Sequence, residues 1–175
     1  PSATRAAMTL CAVLGLILSS RLSARTDGNG VPARSSPEAT ARVCRDAETA
    51  YRALGCAGAA RVLVGGLVNR AALARHLVAT DPGSLLLVCA GTHDQAALED
   101  VLGAGALLHM LAPGIPRPGP ACGDGVRMAR AIYEAARPNL AGAVLGARNG
   151  ARLAEIPDLA GDLAVCMAED CLDVV

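Results

Sequence analysis

Apolar positions in this chain fall into two patterns: short continuous runs, and stretches of helical period. The first run, AAMTLCAVLGLIL at residues 6–18, is thirteen residues long, short of the roughly 20 that cross a bilayer. Arg5 before it and LSA at 22–24 after it give it the layout of a secretory signal. A buried strand or the remnant of a helix is the other reading. Residues 25–35, RTDGNGVPARS, form a turn-rich linker, so residues 1–34 separate as an apolar segment and linker from a domain at 35–175. That domain opens with a helix capped by the box Ser35-Ser36-Pro37-Glu38, with Val43, Ala47, Tyr51 and Leu54 on one face.

RVLVGGL at 61–67 reads as a strand. Asn69 caps a helix with Leu73, Leu77 and Val78 inward, and Asp81-Pro82-Gly83 turns the chain into a second strand, LLLVCA at 85–90. This predicts a β-α-β unit with the two strands paired in parallel and a right-handed crossover. After Gly91, Thr92 and Asp94 are candidate caps for a helix from Gln95 to Leu111. Residues 113–125 carry four prolines and four glycines, which suits a surface connection. Two helices follow, Val126–Arg137 and Asn139 to about Arg148, the second closed by Asn149-Gly150. LAVCM at 163–167 reads as a last buried strand before an acidic end. The fold class is α/β, a layered α/β/α sandwich on a mainly parallel sheet. In such sheets ligands bind outside the carboxyl ends of the strands, which points to the turn at 91–94.

Composition narrows the partners. The chain is 53% hydrophobic but 1% aromatic, and its sixteen basic residues, all arginine, balance sixteen acids. Bases would find few rings to stack on, and no net field gathers nucleic acid or an anionic membrane. The seven cysteines lack paired metal-site or disulfide spacing. Cys89 and Cys166 sit inside apolar runs, as small buried hydrophobes do. A cytoplasmic location follows, or a secreted one if residues 5–24 act as a signal.

Candidate chemistry gathers at two places. Glu99 and Asp100 fall in the first turns of the helix after the 85–90 strand. They either hold Mg²⁺ through hard oxygen ligands or simply complement the helix dipole. The backbone amides of Gly91, Thr92 and His93 could cradle a phosphate. His93 is either an acid-base group or merely exposed. Arg148 and Arg152 are either an anion fork or dipole complements. In the tail, Asp162, Glu169, Asp170 and Asp173 place carboxylates around one predicted strand end, or form a solvated terminus.

Several of these stretches together resemble one family. LLLVCAGTHDQAALEDVLGAGAL at 85–107 is similar to the central motif of the 2-phosphosulfolactate phosphatases, CAGT, a variable loop, then SLEDVLCAGA. ARAIYEAARPNLAGAVLGARNGARL at 129–153 resembles the family stretch ending in SRHG-x2-L. Residues 162–175 resemble its D-x3-C-A-x2-D ending, and 58–77 its strand, Asn-containing turn and helix. Asn149 stands where the family has His, Ala147 where it has Ser and Gly103 where it has Cys. Residues 1–57 hold no equivalent of its D-V-x-R-A-[ST] motif, so the chain looks like the second half of that enzyme with an aberrant or shortened start.

The resemblance implies Mg²⁺-dependent hydrolysis of a small anionic phosphomonoester, 2-phosphosulfolactate, to sulfolactate and phosphate, as in coenzyme M biosynthesis. It casts Glu99, Asp100 and Asp170 as catalytic, with Asp100, Asp170 and Asp173 holding the metal. Gly91, Thr92, Arg148 and Asn69 become substrate-binding, and a homo-oligomer is compatible with it. Two rivals stand beside this: a non-catalytic remnant of the fold serving as a binding domain, and a doubly wound nucleotide-binding domain. The second lacks both G-x-G-x-x-G and a P-loop.

Overall fold

The structure, a computed structural model, describes residues 9–14, 61–89, 91, 95–113, 122–157 and 162–175. The expected first helix with its Ser35 cap, the linker at 25–35 and residues 114–121 of the proline-rich connection lie outside these. The described chain is mixed α/β. Strands β1 (Thr9–Leu14), β2 (Arg61–Gly65) and β3 (Ser84–Cys89) form a parallel sheet in the order β2-β1-β3. Val13 stands beside Val64 on one side and Val88 on the other, and Leu14 ends level with both Gly65 and Cys89. All three carboxyl ends therefore share one edge of the sheet.

The apolar run at 6–18 thus contributes the middle strand. Its backbone pairs with β2 on one side and β3 on the other. This corrects one expectation. β2 and β3 are parallel but do not pair, because β1 lies between them.

Helix α1 (Arg70–Thr80) links β2 to β3 after a short 3-10 turn at Leu67–Asn69. Leu73 and Leu77 are buried on one face, whereas Val78 is 69% exposed, contrary to the inward role expected of it. It stands one position past Leu77, about 100° round the helix from the buried stripe. Helix α2 (Leu98–Leu111) is buried along most of its length, the arrangement expected of a helix apolar on nearly every side. Leu107, Leu108 and Leu111 join Leu73 and Leu77 in one cluster, against which Leu63, Leu85 and Leu87 of the sheet pack. Leu102 and Ala106 face a second cluster with Tyr133, Val144, Leu153 and Leu163. The helix is the partition between two cores.

Helix α3 (Asp124–Ala136) packs along α2, then come α4 (Leu140–Leu145), α5 (Arg148–Ala154) and α6 (Asp162–Cys166). Two expectations change here. The single helix from Asn139 is two helices, broken where Gly146 and Ala147 donate to the carbonyls of Gly142 and Val144; Asn149 and Gly150 lie inside α5 rather than capping its predecessor. The predicted strand at 163–167 is helical. Leu163 and Met167, one turn apart, both reach the second cluster, and the Met167 N–H donates to the Leu163 carbonyl at 3.0 Å. A five-residue apolar run fits either period, and here the contact with the helical core decides. Cys89 is exposed and Cys166 only partly buried, so neither is the core filler expected.

Gly105 sets how closely α2 and α3 approach. A Cβ there would collide with the Ala129 carbonyl and come within 2.5 Å of the Tyr133 Cβ, whereas one at Gly103 meets nothing within 4 Å. Urea denaturation should show Gly105→Ala destabilised by about 1–3 kcal/mol through overpacking. Gly103→Ala should be neutral or stabilised by up to about 1 kcal/mol, from helix propensity alone. Equal effects at the two positions would contradict this helix-helix geometry.

Candidate functional site

The turn leaving β3 carries the first of three contacts that converge on the start of α2. The Gly91 N–H donates to Asp100 Oδ2 at 2.6 Å. Gly91 has φ +72°, and a Cβ there would stand 2.7 Å from the Gln95 carbonyl oxygen. Both the left-handed backbone and the crowding call for glycine. The expected caps Thr92 and Asp94, the substrate-binding role of Thr92 and the acid-base candidate His93 fall outside the described residues. The helix itself begins later than Gln95, with Ala97 at its extended N-cap and no side-chain cap bond.

Glu99 and Asp100 follow Leu98 in the first turn, 5% and 4% exposed. As acids of a first helical turn they complement the dipole, yet a surface position would do that as well. Burying carboxylates this deeply demands hydrogen-bonded partners. Asn149 of α5 donates from Nδ2 to Glu99 Oε1, and Gly91 serves Asp100. Beside them Arg148 donates from Nη1 to Gln95 Oε1. The structure therefore brings Gly91, Glu99, Asp100 and Arg148 of the predicted site together, adding Gln95 and Asn149, which sequence reasoning had not assigned to it.

Asn69, Asp170 and Asp173 do other work. Asn69 is buried; its Oδ1 accepts from the Gly66 N–H at 2.9 Å, and its Nδ2 donates to the carbonyls of Val64 at 3.1 Å and Val174 at 3.0 Å. It ties the end of β2 to the chain's last residues, instead of holding out an amide to substrate. Its side chain does not cap α1 either. That task falls to Asp170, whose Oδ1 accepts from the Ala71 N–H at 2.7 Å while Oδ2 accepts from Arg70 Nε at 3.0 Å. Asp170 adopts φ +55° to do so, a left-handed conformation that Asp tolerates better than most residues. Asp173 pairs with Arg75 at the surface.

Arg70 organises this second centre. Its Nη1 donates to Glu169 at 2.7 Å and to the Tyr133 hydroxyl at 2.8 Å. Burial works against its charge, but the bond to Asp170 and the nearby Glu169 and Tyr133 more than offset that and raise its pKa. No local pattern marks Arg70, since its partners lie 63, 99 and 100 positions away in sequence.

These placements bear on a metal. Among the described residues, no three His, Cys, Asp or Glu side chains gather as a metal site, so the set Asp100, Asp170 and Asp173 is not assembled. Asp170 and Asp173 are spent on arginines and on a helix terminus. Glu99 and Asp100 are chemically different: adjacent buried carboxylates, each accepting a hydrogen bond from a neutral donor. That donor set suits Mg²⁺, which takes one or two protein carboxylates and completes its shell with water and phosphate oxygens.

Cys89 reports on the Asp100 charge. Although the residue is exposed overall, partial desolvation of the sulfur first, and the Asp100 carboxylate second, push the thiol pKa up, so at neutral pH it stays protonated and weakly nucleophilic. Iodoacetamide labelling followed by peptide mass spectrometry should find Cys89 slow at pH 7, accelerating as pH rises past the ordinary thiol range. Asp100→Asn should speed labelling at any fixed pH below that range. An unchanged rate would mean that the carboxylate does not face the sulfur.

The family profile of 2-phosphosulpholactate phosphatase matches residues 42–175, reaching further upstream than the motifs alone. A Cyanothece protein named as a probable 2-phosphosulfolactate phosphatase is 34% identical over 116 residues, 65% of this chain and 47% of its own length. A Nostoc punctiforme protein of the same name is also 34% identical, over the same shares. One from Symbiobacterium thermophilum is 45% identical over 56 residues, 32% of this chain and 24% of its own. The chain thus spans about half the length of the first two relatives. With its central strand-turn-helix, its acid pair and its tail all inside the matched region, the chain belongs to the 2-phosphosulpholactate phosphatase family.

Proposed function

We propose that the protein is a phosphoric monoester hydrolase of the 2-phosphosulfolactate type, releasing phosphate and sulfolactate as in coenzyme M biosynthesis, with Mg²⁺ as its cofactor. The observation that carries this reading is the pair of buried carboxylates, Glu99 and Asp100, at the carboxyl edge of a parallel sheet. Family membership supplies the substrate class. The full architecture is a layered α/β/α sandwich, of which the helix-covered face packed on Leu63, Leu85 and Leu87 is one side.

Glu99 and Asp100 would hold the ion, which when bound supplies neutralisation of the charge on the phosphoryl and leaving oxygens. The protein's own groups position and orient. The Gly91 N–H fixes Asp100 and with it the turn leaving β3. Arg148, held against Gln95 at the start of α5, offers a guanidinium to phosphate or sulfonate oxygens. Asn69, Asp170 and Asp173 keep the end of β2, the start of α1 and the tail in register. A neutral protein reading a substrate with several anionic groups needs such local compensation.

The substrate is small and anionic, with neither nucleic acid nor membrane as partner. Among the described residues no helix is long and apolar enough to cross a membrane. The cysteine spacing, which suits no disulfide framework, is the ground on which we place the protein in the cytoplasm. The rival is a domain that keeps the fold without the reaction, favoured by the commitment of Asp170 and Asp173 to arginines.

Phosphate release from 2-phosphosulfolactate and from an aryl phosphate, each with Mg²⁺ and with EDTA, separates the two. Turnover should require Mg²⁺ and fall roughly 100-fold or more in Asp100→Asn, with Asp173→Asn close to wild type. No Mg²⁺-dependent turnover above the Asp100→Asn protein would leave the non-catalytic domain standing.

A further inference from the structure

Glu99 has a partner whose chemistry is unusual for a buried acid. Charges taken out of water are commonly met by an opposite charge; here the donor is the neutral amide of Asn149, itself only 5% exposed. Arginine or lysine in that place would cancel the negative charge. An amide fixes one carboxylate oxygen and leaves that charge in place for whatever binds.

The position of this amide is not adjustable. Asn149 lies in the first turn of α5, entered through the extended and buried Ala147. A side chain at Gly150 would collide with the Val144 carbonyl, so α5 rests directly on the backbone of α4. Leu153, one turn further on and 3% exposed, anchors α5 in the second cluster. Two backbone constraints and one buried leucine therefore aim Asn149 at the acid.

We propose that Asn149 is a positioning residue of the phosphatase site: it holds one oxygen of Glu99 through a neutral bond, so that the carboxylate stays oriented and uncancelled for the reaction. This rests on the phosphatase reading above, while the contact itself can be measured without it.

The test uses the full 175-residue chain. In steady-state kinetics on an aryl phosphate with Mg²⁺, Asn149→Ala should lower kcat by roughly 10–100-fold, as loss of an outer-sphere partner does. KM should change by no more than about three-fold, because the substrate is not touched. Asn149→Ser, which keeps a donor, should recover part of kcat and serves if the alanine protein does not fold. Independently of turnover, the Asn149 side-chain amide proton should resonate downfield of exposed asparagines in an ¹H–¹⁵N spectrum and return upfield in Glu99→Ala.

A folded Asn149→Ala protein with wild-type kcat would overturn the positioning role, and so would a loss confined to KM. An amide resonance indifferent to Glu99→Ala would overturn the contact. Wild-type protein inactive on both aryl phosphate and 2-phosphosulfolactate would overturn the phosphatase reading and the role with it, whereas a shifted amide resonance in that same protein would show that the contact stands on its own.

Discussion

Two carboxylates folded into the interior at the start of α2 impose the main constraint on this structure. The helix behind them is apolar on nearly all sides and separates two cores, so its first turn cannot swing outward to hydrate the acids. Each must find its hydrogen bond inside the protein. Asp100 finds it in the turn that leaves β3, Glu99 in the first turn of α5. Meeting that demand fixes the spatial relation of a strand end and two helices distant in sequence. The same bonds that make the acids tolerable make them ordered, which is the property a reacting site requires.

A second polar centre, at the end of β2 and the start of α1, is stabilised by different means. Arg70 collects a tail carboxylate on each side and a buried tyrosine hydroxyl, and the N-terminus of α1 is capped by a residue from the far end of the chain. Glu169, Asp170 and Asp173 thus answer arginines and a backbone amide. The two centres treat their acids differently: Glu169, Asp170 and Asp173 pair with guanidinium groups, while Glu99 and Asp100 each accept from a neutral donor.

How far the sequence revealed this depended on the range of each interaction. The strand-turn-helix at 84–111 was legible because its signals are local: an apolar run, a glycine break, then helical spacing. The acid pair could be located for the same reason. Asn69 reads as a helix cap and is cast as a substrate ligand because its bond to the Val174 carbonyl is remote in sequence, and Asp170 is cast as a metal ligand because its cap and its arginine are remote. The last apolar run is too short to display a period, so only its burial against the helical core shows that it is a helix. Val78 was misassigned by one position on a helix whose buried stripe is narrow.

The strand order carries a consequence for how the chain comes together. β2, α1 and β3 are consecutive, yet the two strands share no hydrogen bonds, each pairing with β1 instead. The most local unit in the sequence cannot therefore form a sheet by itself. Both ladders among the described residues wait on a segment from far upstream, and closing that loop costs entropy before any pairing rewards it. Sheet formation in this domain is intrinsically non-local, the topology associated with slow, concerted folding. During that delay the edges of two apolar strands stand open to one another's copies in neighbouring chains.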